Sequence, residues 1–207
     1  MKTRVAIIGS GKWANQLKNY IEATDYLSFV GYIDNNTQDE AVICNDDDAT
    51  SLYGIVYEAL FIGIGYARFD LREKLFDSFK SKNIPFATII HPTAIINSSA
   101  VIGEGCLVGP NSVIEMDAHI DNNVVIHSCV YIAHEVHVAP HCYITARASL
   151  AGEVKIGKSC FIGFNCAIRD GVSVASNTIV GCSANVVKDI VDCGYVYIGN
   201  PARRLIK

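Results

Sequence analysis

The chain has 207 residues, half of them hydrophobic and 18% charged, which suits a well-buried globular protein of one large domain or two small ones. A formal net charge of −4 argues against a basic nucleic-acid-binding surface, and no run of 18 apolar residues is present to cross a membrane. The opening MKTRVAIIGSGKWA has too short an apolar stretch for a signal peptide, so a cytoplasmic protein is expected.

In chain order, RVAIIG (4–9) reads as a buried strand running into Gly9-Ser10-Gly11-Lys12-Trp13-Ala14, and WANQLKNYIEA (13–23) as a helix. LSFVGYID (27–34) is a second strand ending at Asp34, and EALFIGIG (58–65) a third, followed by helical YARFDLREKLFDSFKSKN. FATII, before His91, is a candidate fourth strand. Strands alternating with helices predict a small parallel α/β sheet over residues 1–88.

Gly9-x-Gly11-x-x-Ala14 after a strand, with an acidic residue further on, suggests nucleotide binding. Glycines let the backbone approach a phosphate, and a helix N-terminus favours the anion. A plain tight turn is the alternative reading. A full two-half dinucleotide fold needs more chain than this, so a mononucleotide or nucleotide-sugar fits better than NAD.

From Ile90, every sixth residue through Val186 is aliphatic, seventeen positions without a slip. The column two residues before each aliphatic from Ile96 on, Ala94 to Ala184, holds only Ala, Cys, Ser, Thr and Val. A period of six fits neither a helix nor an amphipathic strand. It fits a prism of short flat strands, each face sending one large and one small side chain inward. Three faces make a coil of 18 residues, stacked at roughly 4.8 Å. Glycines at 103, 109, 157, 163 and 181 follow the aliphatic position, where a tight corner is expected. Of eight cysteines, 106, 142, 160 and 166 stand in the small column, as core fillers.

This ladder resembles the hexapeptide-repeat, left-handed parallel β-helix acyltransferases over about residues 88–190. The left hand is implied by the resemblance, since general chirality rules favour the other. A small Rossmann-like α/β half in front of such a prism resembles, more narrowly, the PglD/NeuD-like N-acetyltransferases of nucleotide-linked amino sugars. That likeness covers essentially the whole chain and is strongest at His134-Glu135, LAGEVKIGKSCFIG (150–163) and YIGNPARRL. It implies three parts: a nucleotide-sugar domain (1–88), an acetyltransferase β-helix (89–190) and a tail (191–207) that meets CoA.

None of the six histidines, His91, His119, His127, His134, His137 and His141, falls in an inward column, so a satisfied core histidine is not expected. His134 matches the family's base, which takes a proton from the sugar amine as it attacks the thioester. An imidazole suits that step, and Glu135 beside it can fix the tautomer. The resemblance further implies acetyl-CoA as cosubstrate, met by Gly152, Phe164, Gly181, Pro201, Arg204 and Lys207. Gly152 is also a candidate oxyanion donor. The nucleotide-sugar would meet Gly9, Ser10, Gly11, Lys12, Asp34, Asn35, Gly65, Tyr66 and Arg68. The chain departs from the family pattern with Lys12-Trp13 in the first loop, and with Tyr143 where a second histidine is expected against the acetyl group. Homotrimers with sites between subunits are usual for such prisms.

The expected function is therefore N-acetylation of a nucleotide-linked amino sugar, a 4-amino-4,6-dideoxyhexose on dTDP or UDP, with no metal. O-acetylation of a sialic acid or another hydroxyl is the nearer alternative. A different class is a zinc hydratase of the carbonic anhydrase type. His119 and His137 lie 18 apart and should stack, with His141 four residues on, although Lys155 comes next in their column.

Overall fold

In the computed structural model, which describes residues 1–35 and 40–206, the chain divides into two units, Met1–Pro92 and Thr93–Lys207. The first unit contains β1 (Thr3–Ile8), α1 (Lys12–Ala23), β2 (Leu27–Ile33), β3 (Val42–Cys44), α2 (Asp46–Leu52), β4 (Ala59–Ile62) and α3 (Phe69–Ser81). The strands pair in parallel in the order β3-β2-β1-β4. Val5 to Ile8 are buried without alternation, as a parallel strand covered on both faces requires. α1 buries Ala14, Leu17 and Ile21, one helical stripe.

Two of these elements escape the sequence reading. β3 has three half-buried residues, and α2 (DDDATSL) carries no aliphatic stripe. The latter is held at its start instead, where the Asn45 side chain accepts from the Asp48 N–H at 2.9 Å and three aspartates face the helix dipole. FATII is not a strand of this sheet. Phe86 makes one isolated bridge with Leu60, and Ile89–Ile90 is already a two-residue strand in the six-residue register. EALFIGIG narrows to β4, and just past its end Gly63 lies against the Ile7 and Ala14 side chains.

In the second unit two-residue strands repeat every six residues and pair in parallel 18 apart, as a β-helix. The first face stacks Val101–Ile102, His119–Ile120, His137–Val138, Lys155–Ile156 and Ser173–Val174. A second face runs Leu107–Val108, Val125–Ile126, Tyr143–Ile144, Phe161–Ile162 and Ile179–Val180. The third runs from Ile95–Ile96 through Tyr131–Ile132 to Asn185–Val186. From Ile114 to Val186 every aliphatic member of the ladder is buried.

A third column, unread in the sequence, makes the corners. Every sixth residue from Gly105 to Ser183 has a left-handed backbone, among them Glu135 (φ 57) and His141 (φ 65). Asn, Ser and Gly recur there, Asn four times, which is the signal that was available. The glycines after the aliphatic position therefore serve another purpose than the one expected. At Gly163 φ is ordinary, but a Cβ would lie 2.5 Å from the Val180 carbonyl oxygen one coil on. They permit close approach of coils.

The small column has its own polar rule. The thiols of Cys106, Cys142, Cys160 and Cys166 donate to carbonyls fifteen residues ahead, Asp121 (3.0 Å), Gly157 (3.0 Å), Ala175 (3.1 Å) and Gly181 (2.9 Å). Ser112 Oγ does the same to His127 O at 2.7 Å. All the cysteines are free thiols. The last coil is shortened, with Val174 bridging Ile190, sixteen residues away, instead of eighteen. Residues beyond it do not trail off. Val196–Ile198 extends the second face beside Ile179–Val180, and Arg203–Arg204 returns antiparallel to it after a cis Asn200–Pro201 bond. Among the described residues no helix is long and apolar enough to cross a membrane.

Candidate active site

His134 and Glu135 occupy the corner between the third and first faces, after Ile132 and before His137. The His134 Nδ1 lies 3.1 Å from Glu135 Oε2, with side chains 52% and 61% exposed. The left-handed φ at Glu135, fixed by its N–H donating to Met116 O at 3.0 Å, turns its carboxylate back beside the ring.

One coil on in the same column stands Gly152. A Cβ there would lie 2.5 Å from His134 Cε1 and 2.6 Å from Nε2. Only glycine leaves the imidazole its room. Its N–H donates to Asp170 Oδ1 at 3.0 Å, so the donor considered for the oxyanion is already engaged. A groove of about 420 Å³ on the third face is lined by Tyr131, Ser149, Ala151, Ala167, Arg169 and Asn185, and Ala151 adjoins Gly152. Ser149, Ala151 and Ala167 give it small outward side chains, and its lining is mostly apolar.

Other predicted residues are distributed differently. Tyr143 is buried on the second face between His127 and Phe161, with ring centroids at 5.1 and 6.2 Å, and within one chain it is not beside His134. Burial there pushes His127 down to about 4, so this imidazole is neutral near pH 7. His141 corrects the expectation that no histidine is buried. It is 4% exposed, and Asn123 Nδ2 lies 2.9 Å from its Nδ1. Its left-handed corner position turns the ring onto the coil, and it takes no part in a cluster with His119 and His137.

At the tail, Gly181 packs against Ile198, where a Cβ would lie 2.7 Å from Cγ2. The Arg204 guanidinium lies 3.2 Å from the Tyr195 ring centroid and 3.5 Å from Asp192 Oδ2. With Tyr195, Leu205 and Ile206 it lines a cavity of about 560 Å³. Phe164 and Pro201 are exposed, and Lys207 lies outside the described residues.

In the first unit, Gly9, Asp34 and Asn35 line one cavity of about 170 Å³ with Asp46 and Ile64, at the carboxyl ends of β1 and β2. The reversal of strand order between β1 and β4 makes this the end where parallel α/β sheets bind ligands. Ser10 is held through Asp34, whose Oδ2 accepts from its N–H and its hydroxyl, both at 2.9 Å. Asn35 clasps Asp46, donating to Oδ2 at 2.9 Å and accepting from its N–H at 2.8 Å. Burial raises the Asp46 pKa above the ordinary carboxylate value, the Asn35 amide pulls it back, and the Asp34 carboxylate adds to the rise. Gly11 caps α1, whose first turn has no acidic residue, and Lys12 is exposed at its start. Gly65 opens the 3-10 turn Tyr66–Arg68. Tyr66 is exposed, and Arg68 pairs with Asp70 at 3.6 Å, outside that cavity. The acid Asp46 and the fully buried Arg72, which donates to Ile64 O at 2.8 Å and so secures the loop after β4, were missed.

No protein-family model matches the sequence, and no curated protein is similar to it by sequence. Solved structures match nearly end to end. PerB from Caulobacter crescentus, in complex with CoA and GDP-perosamine, is 27% identical over 97% of this chain and 96% of that one, with a TM-score of 0.89. A mutant of the GDP-perosamine N-acetyl transferase from Caulobacter crescentus is 26% identical over 98% and 97%, at 0.91. The acetyltransferase domain of PglB from Neisseria gonorrhoeae FA1090 covers 99% and 100% at 22% identity and a TM-score of 0.90, a likeness of fold. From β1 to the returning tail strand, this chain has the fold of the hexapeptide-repeat sugar N-acetyltransferases.

Proposed function

We propose that the protein is an acyltransferase that carries the acetyl group of acetyl-CoA to the amine of a nucleotide-linked amino sugar, with His134 as general base. The observation that carries this reading is the His134–Glu135 pair at 3.1 Å, in a corner that Gly152 keeps open, on a chain 27% identical to PerB. Glu135 accepts from Nδ1–H, which leaves the lone pair of His134 on Nε2. Nε2 takes a proton from the amine as the amine nitrogen attacks the thioester carbonyl. The tetrahedral adduct then collapses to the amide and expels the thiolate of CoA. Glu135 stabilises the imidazolium formed in between.

The groove beside Gly152 suits a thin, flexible pantetheine arm. Phe164, Gly181, Pro201 and Arg204 serve the same cofactor, with Arg204 facing its phosphates. Gly9, Ser10, Gly11, Lys12, Asp34, Asn35, Gly65, Tyr66 and Arg68 serve the nucleotide. In this reading the sugar is a 4-amino-4,6-dideoxyhexose, Tyr143 approaches the acetyl group from a neighbouring subunit, and the working species is a homotrimer.

The test is a panel of UDP-, dTDP- and GDP-linked amino sugars with acetyl-CoA, followed by thiol release and light scattering. Replacing His134 by Ala should lower turnover by roughly 10² to 10⁴ with the unfolding midpoint unchanged, because the side chain faces outward. Near-normal turnover in that variant contradicts the base, and an active monomer contradicts the shared site.

A further inference from the structure

The first face carries a cluster that acetyl transfer does not use. Parallel pairing sets His119 beside His137, one coil apart, with ring centroids at 5.3 Å. Asp121, at the corner two residues past His119, offers one carboxylate oxygen to each. Oδ1 lies 3.0 Å from His119 Nε2, and Oδ2 lies 3.1 Å from His137 Nε2. One ligand atom from each residue lies within 4.8 Å of the other two, the only such trio of His, Cys, Asp or Glu among the described residues.

We propose that His119, Asp121 and His137 bind a divalent transition-metal ion, Zn²⁺ in the first place. Two imidazole nitrogens and one carboxylate oxygen, with water as the fourth ligand, form a zinc-type donor set, whereas calcium and magnesium take oxygen alone. In a zinc tetrahedron with bonds of 2.0–2.1 Å, neighbouring donors stand roughly 3.3 Å apart. Whichever Asp121 oxygen is the ligand, one of the three edges already has nearly that length, and all three ligand atoms lie within 4.8 Å of one another. Each short N···O contact needs a proton on Nε2 when no metal is bound. With the ion in place, the proton of each imidazole sits on Nδ1 and both Nε2 lone pairs turn to the metal.

The ladder also preorganises the trio. His119 N donates to Val136 O at 2.8 Å, Asp121 N to Val138 O at 2.9 Å, and His137 N to Val154 O at 2.9 Å. Little backbone freedom is lost when the ion enters. All three side chains reach solvent, so the ion has an entry path. Lys155 follows His137 in the column, but it is exposed, and its four-carbon stem can carry the ammonium away. The ion would pin two successive coils together, apart from the transfer chemistry.

Titration of the tag-free, chelator-stripped full chain with ZnCl₂ in a calorimeter tests this. One ion per chain at micromolar Kd or tighter is expected, and Co²⁺ in its place should give the intense visible bands of a tetrahedral site. Asp121→Asn and His137→Ala should each weaken binding on the order of 100-fold with unchanged circular dichroism. His134→Ala should leave the isotherm as it is. Millimolar binding would overturn the proposal. So would binding that survives His137→Ala but is lost when the exposed thiols Cys129, Cys182 and Cys193 are blocked.

Discussion

The two units bury aliphatic side chains by opposite means. In the first, one cluster gathers residues from β1, β2, α2, β4 and α3, so that Leu60 belongs to the same core as Ile8, Tyr57, Phe79 and Phe86. In the second, each short strand pairs with those 18 residues before and after it, as Ile132 does with Ile114 and Leu150. A core of the first kind stands or falls together, whereas one of the second kind is a sum of neighbouring terms.

Matched substitutions should break the two kinds of core differently, and they carry the largest expected effects. Leu60→Asp and Ile132→Asp each bury an unpaired charge, at a cost of several kcal/mol against a usual domain stability of about 5 to 15 kcal/mol. The first should unfold the whole α/β unit. The second should open only the coils around residues 114–150, leaving amide protection near Val180 and throughout Met1–Pro92. Hydrogen exchange read by mass spectrometry distinguishes them, and uniform loss of protection in Ile132→Asp would refute the local picture.

The same contrast explains what the sequence disclosed. Seventeen repetitions of one rule make the prism legible, since any single exception would have stood out. The α/β half has no such redundancy, so β3 and α2, with three and seven residues, left no periodic trace. Within the site, His134 and Glu135 were legible by their match to a known pair. Gly152 was assigned to the cofactor, yet its closest physical relation is to the ring of His134, through space and across a coil. Asp121 went unnoticed for a related reason. It stands two residues from one histidine and sixteen from the other, a relation that only the corner geometry creates. His141 was misjudged because the ladder columns say where Cβ points at a strand, not where a left-handed corner turns a ring.

Effects that travel one coil can be read at the site itself. Gly152→Ala adds a methyl where His134 Cε1 and Nε2 stand, so the ring must move by about an ångström. Turnover should fall roughly 10- to 100-fold, because misplacement on that scale costs orders of magnitude in rate. The unfolding midpoint should change little, since an exposed side chain can swing away. A raised KM for acetyl-CoA with unchanged turnover would assign Gly152 to the cofactor alone.

The smallest effect tests the repeat where it ends. Thr178 belongs to the small column and is fully buried, yet its Oγ1 has no hydrogen-bond partner. Polar members before it reach a carbonyl fifteen residues ahead, as Ser112 does at His127. For Thr178 that position is Cys193, beyond the coil shortened at Ile190, where the register no longer supplies an acceptor. The hydroxyl bears a desolvation cost that nothing repays. Val has nearly the same shape, and the column already buries it at Val124, Val130, Val136, Val154 and Val172. Thr178→Val should therefore stabilise the chain by about 1 kcal/mol, raising the midpoint of thermal unfolding by roughly 2–4 °C. A lowered midpoint would mean that the shortened coil does offer Oγ1 an acceptor, and that the polar rule of the column extends one turn further than its spacing allows.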